Sequence, residues 1–205
     1  RGAHMEYIDT LAGLEAQYGI PSEAALVKVA PRLTDSYRAF IERSRFCVLS
    51  TVGPEGTDAS PRGDNGPVVA ILDPQTLALP DWRGNNRIDS LRNIVADGRV
   101  SLMFFVPGST SVVRINGRGR LTADAGLRAR FERDGKQPRT VTLITIGEAY
   151  FQCARALMRA RLWSGRDESA GLPTPGAMLQ EITQGSLDGD RYDTEWPERA
   201  AQTMW

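Results

Sequence analysis

Between Phe46 and Glu148 the chain is cut into short apolar-rich runs by glycine, proline and aspartate, and this spacing constrains its fold more than any other feature. The run Phe46-Cys47-Val48-Leu49-Ser50-Thr51-Val52 meets the turn Gly53-Pro54-Glu55-Gly56, the pattern of a strand entering a hairpin. Further strands are predicted at Val68 to Leu72, Thr76 to Leu79, Arg99 to Val106, Ser111 to Thr122 and Thr140 to Glu148. Asn86 to Ala96 carries Ile88, Leu91, Ile94 and Val95 at helical spacing, so one helix interrupts the antiparallel run. Six to seven short strands suggest a small antiparallel barrel.

Helices flank it. Leu11, Leu14 and Tyr18 share one helical face, and Thr34 can cap a helix presenting Tyr37, Phe40 and Ile41; both read as a cover for the sheet. Two more helices are expected near Asp124 to Arg133 and Gln152 to Trp163. Beyond Trp163 the chain turns rich in Gly, Pro and charge, a surface-wrapping tail with one short helix around Ala177 to Thr183. The expected architecture is α+β, a barrel with flanking helices, divided into a cloning remnant with the start Met (1–5), an N-terminal helical segment (6–45), the barrel (46–163) and the tail (164–205).

Composition removes several function classes. The 25 basic and 25 acidic residues cancel, so there is no broad positive footprint for nucleic acid or an anionic membrane. The only histidine, His4, precedes Met5 within the remnant, which leaves no histidine for a Ser-His-Asp or Cys-His pair. Cys47 and Cys153 are too few for a zinc site and read as two buried thiols of a reducing cytoplasm, so no metal is expected. No apolar stretch approaches the roughly 18 residues of a membrane span, and no leader is evident; the expected location is cytoplasmic. Lys28 and Lys136 are the only lysines, so any anion site falls to arginine, the planar bidentate donor.

Four segments carry candidate chemistry. Ser60-Pro61-Arg62-Gly63-Asp64-Asn65-Gly66-Pro67 combines a forked donor at Arg62 with glycines that admit a ligand close to the backbone; an ordinary hairpin loop with Arg62 paired to Asp64 fits the same residues. Pro80-Asp81-Trp82-Arg83-Gly84-Asn85-Asn86-Arg87 leads into the helix predicted from Asn86, whose free N–H groups would face an anion between Arg83 and Arg87. The alternative is a plain helix capped by Asn85 or Asn86. Val112 to Leu121 is an alternating strand that puts Arg114, Asn116, Arg118 and Arg120 on one face, toward a cofactor, a partner subunit or solvent. Cys153 to Trp163 is arginine-rich, with Trp163 available to stack on a ring or to pack in a core.

Taken in order, Ser60-Pro61-Arg62-Gly63-Asp64, Leu77-Ala78-Leu79-Pro80-Asp81, Gly84-Asn85-Asn86-Arg87, Ser90-Leu91-Arg92-Asn93-Ile94 and the Arg114 to Arg118 strand resemble the pyridoxamine 5'-phosphate oxidase class of FMN-binding split barrels, over roughly Phe46 to Trp163. The resemblance implies a homodimer with FMN at its interface, an oxidoreductase whose flavin carries the redox chemistry, and a small-molecule substrate with NAD(P)H or O2 turning the cofactor over. It implies that Arg62 contacts the flavin or its phosphate and that Gly84, Asn85, Asn86 and Arg87 grip the phosphate, with Ser60, Gly63, Asp64, Pro80, Asp81 and Arg83 as further cofactor contacts. Arg114, Asn116 and Trp163 would be contacts made with the partner subunit; no catalytic side chain is implied. The chain departs from the oxidase pattern in two places: Asp73 stands after the strand that should end in a phosphate-binding lysine, and the Arg-X-His substrate motif is missing. A flavin-binding carrier or sensor without catalysis is the alternative function, and a deazaflavin the alternative cofactor.

Overall fold

A computed structural model describes residues 5–205; His4 lies outside the described residues. In chain order the elements are α1 (Leu11–Glu15), α2 (Glu23–Val27), α3 (Asp35–Arg43), β1 (Phe46–Gly53), β2 (Gly56–Gly63), β3 (Ala70–Asp73), β4 (Thr76–Asp81), α4 (Asp89–Ala96), β5 (Arg99–Phe105), β6 (Val112–Thr122), α5 (Ala125–Ala129), β7 (Thr140–Gln152), α6 (Arg155–Ala160), α7 (Pro175–Ile182) and α8 (Gly189–Gln202).

The seven strands form one sheet in the order β2-β1-β5-β6-β7-β4-β3, and every pairing is antiparallel. β1 alternates buried Cys47, Leu49 and Thr51 with outer residues, and β5 does the same with Val100, Leu102 and Phe104. That period-two pattern points one face of each strand inward, and the joint core gathers Leu33, Ile41, Leu77, Leu79, Leu91, Ile94, Ile115 and Ile144.

The sheet is curled but not closed. β2 and β4 stand five strand spacings apart in the order, which in a flat sheet is about 24 Å. Yet Arg62 of β2 and Asp81 of β4 meet at 2.5 Å. Twist and curl have therefore brought the two margins together along a seam, with β3 beyond β4. α4 packs across β1, β2 and β6 and buries Ser90, Leu91 and Ile94. This is the split barrel with flanking helices that the family resemblance implies; the strand spacing alone suggests only a small antiparallel barrel.

Several sequence expectations need correction. The third strand starts at Ala70, because the Val68 amide bonds to the Ser44 carbonyl at 2.9 Å instead of joining a ladder, although Val68 and Val69 are buried. β7 runs on to Gln152, paired with Val112, so the helix expected from Gln152 is only Arg155–Ala160, ended by Arg161 in the left-handed region at φ 50°. Cys153 is consequently exposed, and only Cys47 is a buried thiol. The expected Asp124 to Arg133 helix shortens to Ala125–Ala129, with Arg133 and Lys136 closing a hairpin turn instead. Of the N-terminal helices only α3, capped by Thr34 as predicted, buries a residue, Ile41; Leu11 and Tyr18 are exposed. The tail is two helices rather than one. α7 and α8 pair through Gly176 and Gly189, where backbone approach leaves no room for a Cβ on either.

Candidate functional site

A cleft of about 1370 Å³ opens along the seam, between the ends of β2 and β4 and the loop 82–88. Its floor is a directed hydrogen-bond chain. The Ser90 hydroxyl donates to the Asp58 carboxylate, so the Ser60 hydroxyl, 3.1 Å from Ser90 Oγ, donates to Ser90 and accepts from Arg62 Nε at 3.1 Å. Arg62 Nη1 then reaches Asp81 Oδ1 at 2.5 Å, with both side chains 19 % exposed. The guanidinium is thus fixed from two sides, and the pairing of Arg62 with Asp64 allowed by the sequence does not occur.

The loop 82–88 supplies the opposite rim. Asn86 sits at φ 64° and Ile88 at φ 53°. Asparagine tolerates the left-handed region, but a β-branched isoleucine does not, at a cost of order 1–3 kcal/mol. Ile88 is the residue that opens α4, and no side chain caps the helix there. The helix therefore starts at Asp89, not at Asn86. Neither asparagine caps it: Asn85 Oδ1 accepts from the Arg87 amide at 3.1 Å, and Asn86 Oδ1 accepts from Arg139 Nη1 at 2.9 Å. The uncapped first turn leaves oriented N–H groups and the positive helix end toward the cleft. Arg87 is largely exposed and pairs with Asp89 at 2.9 Å.

Five arginines line the cleft, Arg62, Arg83, Arg87, Arg92 and Arg139, against three carboxylates, Asp58, Asp81 and Asp89. Its lining includes the apolar side chains Val68, Leu79, Leu91, Val95 and Leu121 together with Trp82, Trp196 and Met204. Such a surface accepts a flat apolar body carrying an anionic end, and the volume exceeds the roughly 300–1,000 Å³ of an ordinary small-molecule site.

The residues singled out in the sequence divide in two. Ser60, Arg62, Gly63, Pro80, Asp81, Arg83, Gly84, Asn85, Asn86 and Arg87 all line this cleft. Asp64 does not: its carboxylate lies buried behind the wall, accepting from the Trp82 indole at 3.1 Å with Arg133 Nε at 3.7 Å. Arg114, Asn116 and Trp163 are also elsewhere within the chain. Arg114 lies over the Tyr150 ring at 5.3 Å, Asn116 bonds Ser101 and Glu148, and the Trp163 indole donates to the Ser109 carbonyl at 2.7 Å. The sequence did not point to Asp58, Ser90, Arg92 and Arg139 as cleft residues, nor to the approach of Trp196 from α8 and of Met204 just beyond it. Ser90 and Arg92 had a visible signal, both lying in the Ser90-Leu91-Arg92-Asn93-Ile94 run.

The seam, the uncapped helix and the arginine rim all fall within residues 33–153, and this stretch matches the family model described as pyridoxamine 5'-phosphate oxidase. The chain belongs to the pyridoxamine 5'-phosphate oxidase family. No curated protein matches it. Among solved structures, this family member is similar to HupZ of Group A Streptococcus (17% identity, TM-score 0.45, 56% of this chain and 89% of that one). It is also similar to a provisionally named pyridoxamine 5'-phosphate oxidase of Lactobacillus delbrueckii (20%, 0.48, 59% and 95%) and to an FMN-binding protein of Syntrophomonas wolfei (13%, 0.44, 58% and 89%). At these scores the family assignment rests on the family match and the sheet, not on the individual likenesses. Among the described residues of this oxidase-family chain, no helix is long and apolar enough to cross a membrane, and no group of His, Cys, Asp and Glu is placed to hold a metal.

Proposed function

We propose that this chain binds FMN in the seam cleft, completes the site by homodimerisation, and acts as an oxidoreductase on a small molecule in the cytoplasm. The observation that carries the reading is the division of the cleft: a fixed guanidinium, Arg62, at one side and an uncapped helix start with Arg83, Arg87 and Arg139 at the other. The donor set fits the cofactor, since arginines and free N–H groups suit its phosphate and the Val68, Leu79, Leu91 and Leu121 walls suit its ring. When bound, FMN supplies two-electron redox chemistry, with NAD(P)H or O2 as its exchange partner.

The protein's own part is positioning and charge. The Ser60–Ser90–Asp58 chain and Asp81 hold Arg62 in one orientation, beside the ring, where its positive charge favours the reduced flavin. Gly84 to Arg87 and the first turn of α4 take the phosphate, and Gly63 lets the β2 end approach the ring. Asp64 acts from behind, through Trp82. Arg114, Asn116 and Trp163, which do not line this chain's own cleft, serve the partner subunit's site; Arg114 Nε is buried without a hydrogen-bond partner. In this reading the barrel, 46–163, holds the cofactor, and the segments 6–45 and 164–205 are appendages to it.

The test is the absorption spectrum of the purified protein and chromatography of what heat releases. A yellow protein that releases FMN supports the reading; a colourless one that takes up no FMN on titration refutes it. A spectrum of deazaflavin type would replace the cofactor. Steady-state turnover with NADH or NADPH separates an enzyme from a flavin carrier or sensor.

A further inference from the structure

The N-terminal arm ahead of the core leaves its apolar side chains uncovered. α1 and α2 bury no residue, and ten apolar side chains between Met5 and Val29 are each at least 40 % exposed, with Ile20 at 96 % and Leu11 at 77 %. That is more apolar surface in one stretch than a monomer ordinarily keeps in water, and it marks a contact with another surface. The arm is also of one charge. Residues 5–27 hold four carboxylates, Glu6, Asp9, Glu15 and Glu23, and no lysine or arginine; among the described residues none of the four is in an ion pair.

α6 is its opposite. It too buries no residue, and Met158 and Leu162 are exposed. Residues 152–163 hold Arg155, Arg159 and Arg161 and no carboxylate, and among the described residues none of these arginines is in an ion pair. The fold roots the two surfaces at one end of the sheet. Ala30 and Ala149 exchange both backbone bonds, at 2.9 and 2.8 Å, in an antiparallel bridge, so the chain before Ala30 runs toward the end of β7. Lys28 Nζ accordingly lies 5.6 Å from the Tyr150 ring and 4.9 Å from the Phe151 ring, and α6 begins at Arg155, just after β7 ends at Gln152.

We propose that the acidic, apolar arm of one protomer, residues 5–27, docks on the arginine-rich α6 surface, residues 152–163, of a second copy of this chain. The proposal rests on the reading of the chain as a homodimer and names a surface through which the copies meet. Charge decides the occupant. Each surface is uncovered in its own chain although the two share one end of the sheet, and each finds opposite charge and matching apolar side chains on the other. Arm on arm, or α6 on α6, would set like charges together. A two-fold axis satisfies both surfaces at once, because each arm then meets α6 of the other protomer and the contact is made twice.

Full-length wild type is compared with an arm variant (Glu15→Lys with Glu23→Lys), a patch variant (Arg155→Glu with Arg159→Glu) and the combination of the two; all four side chains are exposed, so the core is left intact. Backbone hydrogen exchange over 11–27 and 155–160 is expected to be roughly tenfold faster or more in each variant than in wild type, and within about threefold of wild type in the combination, where the charges are exchanged. A full-length Tyr18→p-benzoylphenylalanine protein, irradiated, is expected to give a product of two-chain mass with its cross-link in 152–163. A cross-link within a single chain, or one outside 152–163, overturns the proposal. So does exchange that the charge changes leave unaltered, or that the combination fails to restore. Light scattering keeps the two readings apart: a dimer whose exchange ignores the charges overturns the docking and leaves the homodimer standing, whereas a wild-type monomer overturns both.

Discussion

The Arg62–Asp81 ion pair is the sharpest test of the seam, because it joins strands that the sheet order separates and also sits at the proposed cofactor. Exposed pairs contribute about 0.2–1 kcal/mol, and breaking a fully buried pair costs about 3–5 kcal/mol. With both side chains 19 % exposed, the coupling should lie between, about 1.5–3 kcal/mol. A double-mutant cycle of Arg62→Ala, Asp81→Asn and the double variant, read by urea unfolding with tryptophan fluorescence, measures it. FMN affinity should then move in opposite directions for the two single changes. Arg62→Ala removes a charge-assisted contact, about 1.5–3 kcal/mol or roughly 10- to 150-fold in Kd. Asp81→Asn removes a carboxylate that competes with the anionic cofactor for the same guanidinium, and after solvent and salt screening should tighten binding by about 1 kcal/mol, roughly fivefold. Additive stabilities, with coupling below about 0.5 kcal/mol, would show that the pair does not close the seam, and a loss of affinity in Asp81→Asn equal to that in Arg62→Ala would show that Asp81 is needed to position Arg62 and does not compete with the cofactor for it.

Arg87→Ala should weaken FMN binding by about 1.5–3 kcal/mol through loss of a phosphate contact, while Arg62→Gln should lower the flavin midpoint potential more than Arg87→Ala does; titration of apoprotein and potentiometry distinguish the two roles. Gly117→Ala should destabilise the protein by about 2–3 kcal/mol in urea, because a Cβ there runs into the Thr145 carbonyl beside the register shift between β6 and β7, and backbone cannot step aside. A thiol reagent at pH 8 should label Cys153 rapidly and Cys47 only after denaturation, since burial pushes the Cys47 thiol up to about 12, against a lesser opposing pull from Arg62, and keeps it protonated. Light scattering should give a dimer; a monomer with full FMN affinity would contradict a shared site.

The sequence by itself determined most of the strands, the Gly53 to Gly56 turn and the first helix of the core, but not the start of β3, the end of β7 or the Arg133 to Lys136 turn. Alternation in Phe46 to Val52 and Arg99 to Phe105, and a Thr34 cap three residues before the Tyr37 amide it accepts from, are local physics: period-two burial and a helix-end donor needing an acceptor. Resemblance of ordered motifs added the family and most of the cleft rim. What the sequence could not show is which strand margins meet. Arg62 and Asp81 lie in strands that pair with different neighbours, and only the curl of the whole sheet brings them to 2.5 Å. Arg139 is of the same kind, joined to Asn86 across a gap of 53 residues that no local pattern records. α8 escaped for another reason: Gly189–Gln202 is polar, contains Pro197, and lacks an apolar stripe, so its helix rests on the Asp188 cap and pairs such as Arg191–Glu195. Local energies were legible along the chain; the cleft is a property of distance in space, and that was decided by the closing of the sheet.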